Sequence, residues 1–95
     1  MQWGEKLMIR RHIVFRGWVQ GVGLRYRAYH AAQQFGCTGW VRNEEDGSVV
    51  MEIQGSEEGI DKVILAIERG HYIRIEHMEV TSLAPVKDEY GFRTE

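Results

Sequence analysis

The sequence has few of the features that mark a secreted, membrane-bound or metal-dependent protein. It holds one cysteine, Cys37, and one proline, Pro85, in 95 residues. A lone cysteine cannot close an internal disulfide, so a reducing, cytoplasmic address is the expectation. No apolar run has the length or flanks of a signal peptide or a bilayer span, and no membrane partner is expected. Positive charge is not in excess: 12 Lys and Arg against 14 Asp and Glu leave a formal net charge of −2. A general nucleic-acid binder neutralises many phosphates with a basic surface, so nucleic acid is not an expected partner and any bound anion must be caught locally. His12, His30, His71 and His77 lack the close spacing of a zinc site, and Cys37 has no CxxC or HxH pattern beside it. No metal and no cofactor are therefore expected. Low-complexity stretches, charge blocks and internal repeats are also missing.

What is present fits one domain, expected to span residues 1–95 with residues 1–7 as a flexible N-terminal segment. Of the chain, 43% is hydrophobic and 27% charged, enough for a single core and too little chain for a second. Met8 to Gly17 carries Ile13, Val14 and Phe15 in a row and reads as a strand buried on both faces. Leu24, Ala28, Ala31, Ala32 and Phe35 then recur at helical spacing until Gly36 supplies a stop. Thr38 to Arg42 and Val49 to Ile53 read as a hairpin turning at Glu44, Glu45, Asp46 and Gly47, with Trp40 and Phe15 as core aromatics. Ser56 is a good N-cap for a second helix, with Glu57 and Glu58 in its first turn, an apolar stripe of Ile60, Val63, Ile64 and Ile67, and a stop at Gly70. Ile75 to Leu83 and, beyond Pro85, Tyr90 to Arg93 are expected to form a final strand pair. The order matches the ferredoxin-like βαββαβ arrangement, an α+β fold in which an antiparallel sheet of four or five strands carries two helices on one face. That architecture hosts many unrelated functions, so function has to be read from a site.

The informative segment is Arg16-Gly17-Trp18-Val19-Gln20-Gly21-Val22-Gly23-Leu24-Arg25, a glycine-rich turn that leaves a strand and enters a helix. A helix N-terminus presents unpaired N–H groups and the positive end of the macrodipole, and the glycines let the backbone wrap an anion. A plain strand-to-helix connection would also hold glycine. Arg25 and Arg27 tilt the reading, because a cation in the first turn of a helix opposes the dipole unless an anion sits there too. Arg25 abuts the loop and is the expected ligand of a phosphoryl group, since its planar fork grips two oxygens at once. Arg27 reads as a surface residue and Arg16 as a possible supporting charge. The spacing matches neither GxxxxGK[ST] nor GxGxxG, which argues against a nucleotide.

Gly17-Trp18-Val19-Gln20-Gly21-Val22-Gly23-Leu24-Arg25 resembles the acylphosphatase signature G-x-V-Q-G-V-x-F-R. Gly39-Trp40-Val41-Arg42-Asn43-Glu44-Glu45-Asp46-Gly47-Ser48-Val49 resembles that family's G-W-V-x-N-x-x-D-G-x-V hairpin, at the family's spacing from the first motif. Leu24 stands where the family usually has phenylalanine, and Gly70-His71 replaces its usual Gly-Pro. The resemblance implies a metal-independent hydrolase of acyl phosphates. It assigns phosphate binding to Arg25 and the main-chain amides of Gln20, Gly21, Val22, Gly23 and Leu24, and orientation of the attacking water to Asn43. Inorganic phosphate is then both product and competitive inhibitor, and a monomer is expected.

Such chemistry asks little of a protein, because the leaving carboxylate departs unprotonated: its conjugate acid has a pKa near about 4.3. Catalysis rests on positioning and on charge stabilisation at the phosphoryl oxygens. Glu44, Glu45 and Asp46 read as solvated turn formers rather than an acid/base pair, and Cys37 as a buried thiol rather than a nucleophile. Three competing readings are the same cradle as the N-terminal domain of a hydrogenase-maturation carbamoyltransferase, an RNA-recognition domain, and a regulatory module that only binds an anion. The RNA-recognition reading lacks its K/R-G-F/Y-G/A-F-V-x-F/Y run.

Overall fold

A computed structural model describes residues 7–95. Apart from Leu7, which is exposed, the segment expected to be flexible at residues 1–7 lies outside the described residues. The elements run β1 (Ile9–Trp18), α1 (Leu24–Gln34), β2 (Thr38–Asn43), β3 (Val49–Gly55), α2 (Glu57–Glu68), β4 (Arg74–Leu83) and β5 (Phe92–Thr94). They form a five-stranded sheet in the order β4-β1-β3-β2-β5. Ile13 and Phe15 of β1, Val41 of β2 and Met51 and Ile53 of β3 meet Leu24, Ala28 and Ala32 of α1 and Ile60, Val63 and Ile67 of α2 in one core. The alanines of α1 let that helix lie close to the sheet, and Ser56 caps α2 by accepting from the Gly59 N–H at 3.0 Å.

Three expectations need correction. β1 is not buried on both faces: Ile13 and Phe15 enter the core, whereas His12 and Val14 on the opposite face are half-buried and Arg16 is exposed. A run of three apolar residues does not reveal which face water reaches. Trp40 likewise lies on the helix-free face, paired in register with Glu52 and stacked under the Arg42 guanidinium at 4.8 Å. The sheet is mixed rather than antiparallel, and β4 and β5 are not a pair. β4 joins one edge antiparallel to β1, while β5 joins the other edge parallel to β2.

The chain between them, residues 84–91, crosses the helix-free face over one row of the sheet. Leu83, Arg10, Gln54 and Thr38 are register partners across β4, β1, β3 and β2. Gln54 accepts from the Val86 N–H at 2.9 Å and donates to its carbonyl at 3.0 Å. Arg10, only 4% exposed, forks onto the Glu89 carboxylate, itself 10% exposed, at 2.8 and 3.2 Å. Thr38 donates to Glu89 at 2.7 Å, and Arg10 also reaches Glu52 at 3.0 Å and Gln54 at 3.1 Å. A buried arginine is tolerated only when so fully partnered, and this one fastens the crossing segment to the sheet.

Partial burial alone would raise the Glu89 carboxyl, but the hydrogen bonds from Arg10 and Thr38 outweigh it and hold it below its ordinary value of 4.5. A carboxylate whose pKa is depressed on folding contributes stability above its unfolded pKa and loses it as pH falls through the folded one. Glu89→Gln is expected to lower the unfolding free energy at neutral pH by about 2 kcal/mol, the scale of a hydrogen-bonded charge left under-partnered. It should also flatten the acid loss of stability below pH 4.5. Urea titrations at pH 7 and in acid check both; equal acid losses in the two proteins would contradict the latch.

Candidate active site

The site lies where β1 gives way to α1. Gly21 and Gly23 hold φ of 72° and 84°, left-handed values that a side chain would strain, although a Cβ at either would meet nothing within 4 Å. The glycines are therefore needed for backbone shape rather than for space. Gly23 is the N-cap of α1, offers no side-chain cap, and is followed by a first turn without an acidic residue. The main-chain N–H groups of residues 21–25 have no acceptor among the described residues. They and the helix dipole form a concave donor surface suited to an anion.

Gln20 turns its side chain away from this surface. Its Nε2 donates to the Glu44 carbonyl at 2.7 Å and to the Ser48 carbonyl at 2.9 Å, one proton to each. These two carbonyls frame the β2–β3 turn, where the Glu44 N–H donates to the same Ser48 oxygen at 2.9 Å. Asp46 supports the turn by accepting from the Ser48 hydroxyl at 2.6 Å and its N–H at 2.9 Å, and Arg16 adds a 3.2 Å bond. Those donors, the Ser48 hydroxyl first, lower the Asp46 carboxyl to about 2. Asp46 is thus a turn former, as its neighbours implied, and Arg16 serves the hairpin and Glu79 rather than the cradle.

The turn fixed in this way carries Asn43, the exposed last residue of β2, to the loop. Val19, Gly21, Gly23, Leu24, Arg25, Tyr26 and Asn43 line one cleft of about 170 Å³. Of the residues singled out from sequence, Arg25, Asn43, Gly21, Gly23 and Leu24 meet there, whereas Gln20 and Val22 are not among its lining residues. Leu24 contributes to the core as well, being 1% exposed. Arg25 is half-buried, and its Nη1 donates to the Glu95 main-chain oxygen at 2.8 Å. Glu95 is held in turn by its N–H on the Val41 carbonyl at 2.8 Å. Arg27 points elsewhere and donates to the Ala66 carbonyl of α2 at 2.9 Å.

Sequence reasoning missed the Gln20 side-chain bridge and the Glu95 contact, since both depend on segments far apart in the chain. The spacing of Tyr26, Tyr29 and His30, by contrast, is a local signal that places all three on one helical face. Cys37 is 4% exposed and faces Gly55 and Gly59, and burial pushes its thiol up to about 11. A thiol so raised is a poor nucleophile. No group of three His, Cys, Asp or Glu side chains suited to a metal ion occurs among the described residues, nor any helix long and apolar enough to cross a membrane.

A family model described as Acylphosphatase matches residues 11–94. An acylphosphatase of Oceanobacillus iheyensis is 45% identical over 78 residues, which cover 78% of this chain and 86% of that protein. One from Geobacillus kaustophilus is 39% identical over 87 residues, covering 90% and 93%. Among solved structures, the crystal structure of acylphosphatase from Bacillus subtilis superposes with a TM-score of 0.84 at 27% identity, over 92% of this chain and 98% of that one. Full-length HypF in its phosphate- and nucleotide-bound form gives 0.82 at 24% identity, over 99% of this chain and 12% of that one, a likeness of fold alone.

Gln20→Ala is expected to lower global stability by about 1 kcal/mol, the net worth of an ordinary hydrogen-bond pair. Hydrogen exchange at Glu44 and Gly47 should accelerate beyond that global change, because the turn itself is loosened. Exchange that rises uniformly across the sheet would show that the bridge is not local.

Proposed function

The chain belongs to the acylphosphatase family, and from that premise we infer that it hydrolyses the carboxyl–phosphate bond of acyl phosphates to a carboxylate and phosphate. The observation that carries the residue assignment is that Arg25 and Asn43 line the same small cleft at the uncapped start of α1. In this reading the main-chain amides from Gln20 to Leu24, of which those of residues 21–24 have no acceptor among the described residues, and the Arg25 guanidinium hold the phosphoryl oxygens. They stabilise the charge that a loose transition state spreads over them. Asn43 accepts from the attacking water through its carbonyl and so places the oxygen in line with phosphorus.

The water oxygen forms its bond to phosphorus as the bond from phosphorus to the acyl oxygen breaks. The electron pair leaves with the carboxylate, and the water proton passes to a substrate oxygen. A leaving group this acidic needs no protein acid, and positioning suffices where a strong base would otherwise be required. The reaction as drawn has no step for a metal ion or cofactor. The unpaired thiol of Cys37 supports a reducing, cytoplasmic setting, and the site as drawn is complete in a monomer.

The purified protein is expected to hydrolyse benzoyl phosphate at the same rate with and without chelator, with competitive inhibition by inorganic phosphate. Arg25→Ala should weaken phosphate inhibition and lower kcat/KM by about a hundredfold or more, as loss of a strong transition-state donor does. Asn43→Ala should lower kcat by a similar factor, about a hundredfold, while the phosphate inhibition constant barely moves. Equal loss of rate and phosphate affinity in Asn43→Ala would remove it from the water-orienting role. Chelator-sensitive turnover would overturn the mechanism.

A further inference from the structure

A second groove, of about 390 Å³, opens beside the phosphoryl cleft and is lined by Arg25, Tyr26, Tyr29, His30 and Thr94. Arg25 and Tyr26 line both spaces, so the two adjoin at these side chains. The groove is walled by rings from one face of α1. Tyr26 and His30 pack with centroids 4.2 Å apart at 59°, and Tyr29 meets His30 edge-on at 5.2 Å and 85°. Tyr26 is 69% exposed, so its ring contributes little to the core, and His30 is exposed as well. Three clustered rings with two turned to solvent form a surface on which a flat group can stack.

We propose that this groove is the acyl-binding subsite, and that it favours planar aromatic acyl groups over short aliphatic ones. The proposal rests on the acyl-phosphate reading given above. One geometric argument supports it. In-line displacement sets the direction of the acyl group, because the leaving oxygen departs on the side of phosphorus opposite the water. Asn43 lines the cleft and not the groove, whereas Arg25 and Tyr26 line both, so an acyl group pointing away from Asn43 is directed to the ring-lined side. Arg25 then spans both parts of the substrate, with its guanidinium at the phosphoryl oxygens and its stem along the acyl group.

The test is the ratio of kcat/KM for benzoyl phosphate to that for acetyl phosphate, measured on the full chain and on Tyr26→Ala and His30→Ala. A ratio cancels any loss of folded protein, because both substrates see the same active fraction. The wild-type ratio is expected to exceed one. Each substitution should lower it by about threefold to tenfold, the scale of one aromatic contact. Ratios that stay at the wild-type value in both variants would overturn the subsite while leaving the hydrolase reading intact. No turnover of either substrate by the wild type would overturn both.

Discussion

One side-chain amide joins the two halves of the site. Gln20 gives one proton to the Glu44 carbonyl and the other to the Ser48 carbonyl, so the loop before α1 and the turn after β2 are held at fixed separation. Neither half is useful alone. The loop supplies main-chain donors without acceptors among the described residues and the strand end supplies Asn43, and under the proposed function an attacking water is positioned only if the two keep register to about half an ångström. An amide suits this task because its two hydrogens diverge in one plane and meet two carbonyls at once, a geometry that a hydroxyl or an ammonium would not fix.

The opposite end of the sheet serves the site less directly. Arg10, buried beneath Glu89, keeps the segment between β4 and β5 flat on the helix-free face and so delivers β5 to the far edge beside β2. From there the chain continues to Glu95, whose N–H rests on Val41 and whose oxygen receives Arg25. The buried pair and Arg25 are thus the two ends of one path. Along it, the same residue type serves twice, once dry and fully paired and once half-exposed with donors to spare.

Local signals in the sequence account for much of this structure. Gly36 and Gly70 end the helices near their observed limits, Ser56 caps α2, and the two motifs place Arg25 and Asn43 on the elements that bring them to one cleft. What escaped is non-local. Nothing in Tyr90 to Arg93 says that a short strand will pair parallel to β2 instead of beside β4, because that choice is made by Glu89 and Val86 landing on side chains of β1, β2 and β3. Val14 and Trp40 look like core residues until the helices are known to cover only the other face. The Gln20 side chain belongs to the glycine-rich motif, yet the bridge it makes reaches carbonyls 24 and 28 residues away, a pairing that no local pattern encodes.

The economy of the site follows from where its charge comes from. A lysine in place of Arg25 would bring one compact point of charge, and satisfying the Glu95 oxygen would compete with any anion for it. A guanidinium has five donor hydrogens on three nitrogens, and the Glu95 contact engages only Nη1. Under the proposed function Nε and Nη2 are left as a fork for two phosphoryl oxygens, with the side chain already held through Nη1. The ordering entropy of a long cation is thereby met in the free protein rather than on binding. Backbone amides complete the cradle at no cost in side-chain order, and glycine gives them their shape. A chain of 95 residues can therefore assemble an anion site from one arginine and a loop, provided that its two sheet ends are each held by a buried or bridging hydrogen-bond network.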